Sequence, residues 1–178
     1  MALRPSDEAA AELLQQRART LAKLPASEVV TESVLAVCFS LGDHKYGIDA
    51  KFVKEIRMLE SLTPVPCTPE FVAGIVNIRG ALYSLIDLRR FMEVTPRGVT
   101  DLTQIIIVAA SDLEVGVLAD RVSGMNAIPQ TAIKPPLPND ENVAREFIHG
   151  VTPDLTVLLN IEKLFSHPGM IVYEEVKK

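Results

Sequence analysis

Three pairs of apolar-rich segments, each joined by residues of turn-forming type, constrain this chain more than any other feature. Leu35, Val37, Phe39 and Leu41 alternate with Ala36, Cys38 and Ser40, and after Gly42-Asp43 the alternation resumes at Tyr46, Ile48 and Ala50. A period of two sends successive side chains to opposite faces of a strand, so this pattern predicts a half-buried β-hairpin. Gly at the first position of the loop predicts a type II′ turn, whose twist matches that of the flanking strands. A second hairpin is expected over residues 72–78 and 81–86 around Arg79-Gly80, and a third strand pair over 104–110 and 114–119 around Ser111-Asp112.

The remaining segments fit the same class. Strands are expected over 54–59, 122–128, 147–151 and 155–159. Prolines at 64, 66 and 69 remove backbone donors and bias the residues before them away from helix, so 63–69 reads as an extended crossing loop with no ladder. Asp87 is placed to cap a short helix carrying Leu88, Phe91 and Met92, and Asn160 a second with Ile161, Leu164 and Phe165. Many short strands with few helices predict an all-β (mainly β) barrel or sandwich. A helix over 6–23, capped by Ser6 and stopped by Pro25, has a narrow Ala-rich apolar stripe; residues 1–30 read as a leader and linker, and 31–178 as the main domain.

Composition removes several function classes. The formal net charge is -5, no Lys/Arg run exceeds two residues, and Trp is absent, so neither a phosphate-tracking surface nor an aromatic base-stacking platform is expected, and with it no nucleic acid partner. No unbroken apolar stretch is longer than that at 105–110, far below the roughly 20 residues that span a bilayer, which predicts no direct membrane insertion and a cytoplasmic protein. Cys38 and Cys67 are too few and too far apart for a disulfide scaffold or a CxxC site, and both read as structural. His44, His149 and His167 have no His or Cys at metal-ligand spacing and read as surface residues.

Phosphate loops, dinucleotide fingerprints, HExxH and nucleophile elbows are all missing. The expectation is therefore no catalytic residue, no cofactor and no metal. A small β-barrel hydrolase working through Asp49, Glu55, Asp87 or Asp120 stays open as an alternative, with a strongly perturbed acid pair in a pocket as its mark. A binding module needs only turn glycines and exposed apolar residues on rigid strands, and describes the sequence better.

Residues 71–89, Phe-Val-Ala-Gly-Ile-Val-Asn-Ile-Arg-Gly-Ala-Leu-Tyr-Ser-Leu-Ile-Asp-Leu-Arg, closely resemble the central signature of the CheW family: glycine, apolar strand, Asn-x-Arg-Gly turn, apolar strand, Asp-Leu. Tyr46-Gly47-Ile48-Asp49, Val53-Lys54-Glu55-Ile56, Gly116 to Asp120, Ile133-Lys134-Pro135 and Asn160 to Leu164 agree in order, so the resemblance spans roughly 34–165. It departs at Ser84, where a proline is usual, and in the longer leader. The resemblance implies two SH3-like five-stranded β-barrel subdomains around a shared apolar core. It also implies a non-catalytic adaptor between the cytoplasmic tips of methyl-accepting chemoreceptors and the regulatory domain of the histidine kinase CheA, itself CheW-like. A protein-binding module outside chemotaxis is the other reading.

Arg79, in a tight turn where a guanidinium would not be buried, is the leading candidate for a partner contact, against a solvated turn residue. Gly80 is expected to supply a positive φ, and Gly74 a close backbone approach. By resemblance Val53, Glu55 and Leu82 lie near the receptor-contacting surface. Alternation leaves barrel core equally open for Val53 and Leu82, and a solvated strand position open for Glu55. Asn77 fits either role, and Asp87 reads as a helix cap.

Overall fold

The computed structural model describes residues 32–93, 102–136 and 143–170, which belong to one compact unit, Glu32–Lys178. The expected leader helix and the turn at 96–98 lie outside the described residues. Among the described residues ten strands, β1 (Ser33–Leu41), β2 (His44–Asp49), β3 (Val53–Met58), β4 (Val72–Ile78), β5 (Ala81–Ile86), β6 (Gln104–Ala110), β7 (Leu113–Ala119), β8 (Arg121–Pro129), β9 (Ile148–Val151) and β10 (Thr156–Leu159), make the fold mainly β. They form two five-stranded sheets, in the orders β8-β1-β2-β10-β9 and β3-β6-β7-β5-β4. The second sheet is thus inserted whole between two parts of the first.

The chain changes sheet twice. After β2, Asp49 caps a 3-10 turn (Ala50–Phe52) by accepting the Lys51 N–H at 3.1 Å, so Ala50 leaves the strand in which alternation had placed it. At Asp120, between β7 and β8, the backbone N–H donates to the Ser40 carbonyl at 3.0 Å, and one carboxylate oxygen accepts the Gly42 N–H at 2.5 Å. That contact draws on the predicted β1–β2 turn, where Gly42 takes φ 61° and Asp43 does not turn positive, as type II′ requires.

Burial departs from simple alternation. In β6, Ile105 and Ile107 join Val76, Ile78, Leu85 and Leu118 in a cluster belonging to the second sheet, while Ile106 and Val108 face a larger cluster shared with Val37, Phe39, Leu41, Tyr46 and Ile48 of the first. In β1, Ala36 and Cys38 point away from that shared core into a third cluster with Ile128 and Leu158, whereas Leu35, expected inside, is 46% exposed. Central strands buried on both faces read as continuous apolar runs, which explains Ile105-Ile106-Ile107-Val108. Each fully buried Ile, Leu or Phe contributes about 1.5–3 kcal/mol.

Two short helices close the shared core. In α1 (Leu88–Phe91), Asp87 accepts the Arg89 N–H at 3.0 Å; in α2 (Ile161–Ser166), Asn160 accepts the Lys163 N–H at 3.0 Å. Both caps are those expected. Phe147 sits in a 3-10 turn (Val143–Phe147) and Leu155 in a tight turn at φ 62°, so β9 and β10 each begin one residue later than expected. The 63–69 segment is not wholly without pairing, because Thr63 and Ile75 exchange two backbone hydrogen bonds at 3.0 and 2.8 Å.

His167 is not a plain surface residue. Its ring lies edge-on to Phe91 and Phe147, with centroids 5.8 and 5.3 Å away, and Nδ1 accepts the Gly169 N–H at 3.1 Å. Cys38 is buried, which pushes its thiol pKa up and leaves it protonated, while Cys67 is exposed in a turn.

Candidate protein-interaction site

The β4–β5 hairpin builds the candidate site from its turn outward. Ile78 pairs with Ala81, so Arg79 and Gly80 form a two-residue loop, and both take positive φ, 53° and 88°. Consecutive left-handed residues define a type I′ turn, whose twist suits a hairpin. Asn77 braces it, its Oδ1 accepting the Gly80 N–H at 2.8 Å. A Cβ on Gly80 would meet nothing within 4 Å, so glycine is needed there for its φ alone. Arg79 stands 75% exposed on this rigid tip.

The edge strand β3 faces the turn. Its Val53, Glu55 and Arg57 are half-buried, while Lys54, Ile56 and Met58 are exposed. Val53 packs against the shared core, which favours the packing role for that residue. Leu82 is 67% exposed, and the core alternative for it is excluded. Arg79 Nη2 lies 3.9 Å from Glu55 Oε1, so the structure joins two of the six candidates across the strand edge. Asn77 and Gly80 meet in the turn, and Leu82 is the cross-strand partner of Asn77.

Two basic residues were not anticipated. Arg57 donates through Nε to Glu55 Oε1. This hydrogen bond, ahead of the nearby Arg57 and Arg79 charges, holds the Glu55 carboxyl below its ordinary pKa and keeps it ionised at neutral pH. Opposite charges at i and i+2 of a strand share a face, and that spacing was the available signal. Arg89 is buried and grips the Asp87 carboxylate through Nε and Nη2 at 2.9 and 2.8 Å. Asp87 is therefore a cap and one half of a buried ion pair.

Among the described residues no three His, Cys, Asp or Glu side chains are grouped to hold a metal ion. A cleft of about 300 Å³ contains Asp49, His149 and Glu162, but the Asp49 carboxylate is engaged by the Lys51 N–H and, at 3.3 Å, by its ammonium group. Among the described residues no helix is long and apolar enough to cross a membrane.

Two packed five-stranded β-sheets carrying an exposed, braced and charged hairpin tip define a β-sheet module of the kind that binds other proteins. The chain matches the CheW-like domain over residues 35–169 and belongs to the CheW family, whose members are non-catalytic scaffold proteins of chemotaxis signalling. It is 35% identical over 142 residues to the chemotaxis protein CheW of Treponema pallidum, covering 76% of this chain and 84% of that one. With the CheW of Klebsiella aerogenes it shares 32% over 164 residues, 89% of this chain and 96% of the relative. The crystal structure of the scaffolding protein TtCheW from Thermoanaerobacter tengcongensis superposes with a TM-score of 0.65 at 32% identity, covering 78% of this chain and 96% of that chain.

Proposed function

We propose that this protein couples the cytoplasmic tips of methyl-accepting chemoreceptors to the regulatory domain of the histidine kinase CheA, working in the cytoplasm at receptor arrays. Membership of the CheW family carries the reading, and the exposed Arg79 turn beside Glu55 gives it a contact surface. In this reading Arg79, Glu55 and Leu82 meet a partner, Val53 supports the strand beneath them, and Asn77 and Gly80 hold the turn in shape. Each five-stranded sheet is an SH3-like barrel; the separate apolar clusters within the two sheets, beside the shared one, support that.

Arg79→Glu tests the surface. The residue is exposed, so stability should change by no more than about 0.5 kcal/mol. A reversed charge at a protein contact should cost ~2 kcal/mol of affinity or more, roughly thirtyfold. Thermal melts beside titrations with a receptor-tip fragment and the kinase regulatory domain, each at two salt concentrations, measure both effects. A collapsed melt would make Arg79 structural, and two unchanged titrations would remove it from the contact surface.

The reading also treats residues 31–178 as the whole adaptor domain and 1–30 as separable from it. Deleting 1–30 should then leave the melting temperature within a few degrees. A fall of more than about 10 °C, over ~2 kcal/mol for a domain of this size, would make the leader part of the fold.

A further inference from the structure

Arg89 is within electrostatic reach of two carboxylates and is bonded to one of them. Its Nε and Nη2 donate to Asp87, with the two side chains 10% and 6% exposed. Those bonds hold the Arg89 pKa above its ordinary value against the opposing effect of burial, and the charges of Asp87 and Asp120 add to them. Asp120 Oδ2 accepts the Gly42 N–H, while Oδ1 is buried and has no hydrogen-bond partner among the described residues. Such an oxygen is costly to leave without a donor. Asp87 in turn has a second cation at hand. Arg90, 63% exposed, holds Nε 3.7 Å from Asp87 Oδ2, just beyond hydrogen-bond reach.

We propose that these four side chains form a two-position switch, in which the Arg89 guanidinium moves from Asp87 to Asp120 Oδ1 while Arg90 closes on Asp87. In the first arrangement Asp120 Oδ1 goes without a donor. In the second, an exposed arginine replaces a buried one at Asp87. Neither satisfies every group, which is the condition for two packings of similar free energy. Asp87 accepts the Arg89 backbone N–H at 3.0 Å independently of either guanidinium, so the cap and α1 persist through the exchange. What changes is the tie between the sheets. Asp87 and Arg89 follow β5 of the second sheet, whereas Asp120 stands at the crossover into β8 and holds the β1–β2 turn of the first through Gly42. In the second arrangement an ion pair joins α1 to that turn. The exchange needs no partner protein.

Relaxation-dispersion NMR of the arginine Nε signals in the full chain tests the switch. Arg89 should exchange between two states on the microsecond-to-millisecond scale, with a minor population of about 1–10%. Asp120→Asn keeps an oxygen for the Gly42 N–H but removes the charge that draws Arg89, so the minor population should fall about fivefold or more. Arg90→Gln changes an exposed side chain, so the melting temperature should stay within about 2 °C while the minor population falls about threefold. Asp87→Asn should act the other way: the amide still caps α1, and a crystal structure of that variant should show Arg89 bonded to Asp120 Oδ1. A flat Arg89 profile in the native protein would overturn the switch. So would exchange that Arg90→Gln leaves unchanged, because simple fraying of α1 would not depend on that side chain, or an Arg89 that stays away from Asp120 in Asp87→Asn. Should Asp120→Asn fail to fold, the other two variants still decide.

Discussion

Arg89→Met is expected to be among the most destabilising single changes in this domain, at about 3–5 kcal/mol. The methionine keeps most of the apolar stem, so the loss comes from the guanidinium. Its removal strips the buried Asp87 carboxylate of two hydrogen bonds and leaves it the residue-89 N–H at 3.0 Å and the Arg90 Nε at 3.7 Å. Asp120 also loses a nearby counter-charge, and its Oδ1 is already buried without a hydrogen-bond partner. At about 2–4 °C per kcal/mol for a protein of this size, the melting temperature should fall by roughly 10 °C. Asp87→Asn combined with Arg89→Met should recover much of the loss, because the amide still caps α1 and residue 87 no longer carries an unpaired charge. If Arg89→Met alone stayed within about 1 kcal/mol, the pair would be solvated and the account of it as buried would be wrong.

Gly74→Ala should cost about 3 kcal/mol for a different reason. Gly74 sits at φ 149° beside the bulge in β4, and a Cβ there would lie 2.4 Å from the Thr63 carbonyl oxygen. That atom is backbone, so no side-chain rotation relieves the clash, and the two Thr63–Ile75 hydrogen bonds must lengthen or break. Hydrogen exchange should quicken at the Ile75 amide. Gly80→Ala is the control: with open space around it and only φ 88° to strain, it should cost about 1–2 kcal/mol. Equal losses at the two glycines would mean that close approach is not what selects Gly74.

The candidate site was legible in the sequence only as far as local chemistry reaches. Asn-x-Arg-Gly between two apolar strands specified an exposed turn, and the turn is there because Asn77 Oδ1 accepts the Gly80 N–H while Arg79 and Gly80 take positive φ. The pairing of Arg79 with Glu55 spans separate strands, and no local pattern encodes it. Leu82 and Val53 show the same limit: alternation assigns residues to opposite faces but does not say which face meets water. The fold decided that Leu82 is exposed and that Val53 packs inward.

Turns, strand positions and helix caps followed from the sequence because each depends on φ preferences and hydrogen bonds within three or four residues. Gly42 opens its II′ turn and Asp87 and Asn160 cap their helices as residue type alone predicts. The insertion of one sheet between two parts of the other came from tertiary structure, since it depends on which edges find partners after β2 and after β7. So did the double-sided burial of Ile105 to Val108 and the enclosure of Arg89 with Asp87. A side chain's exposure is the sum of contacts from strands distant in sequence, and that sum exists only once the two sheets have packed together.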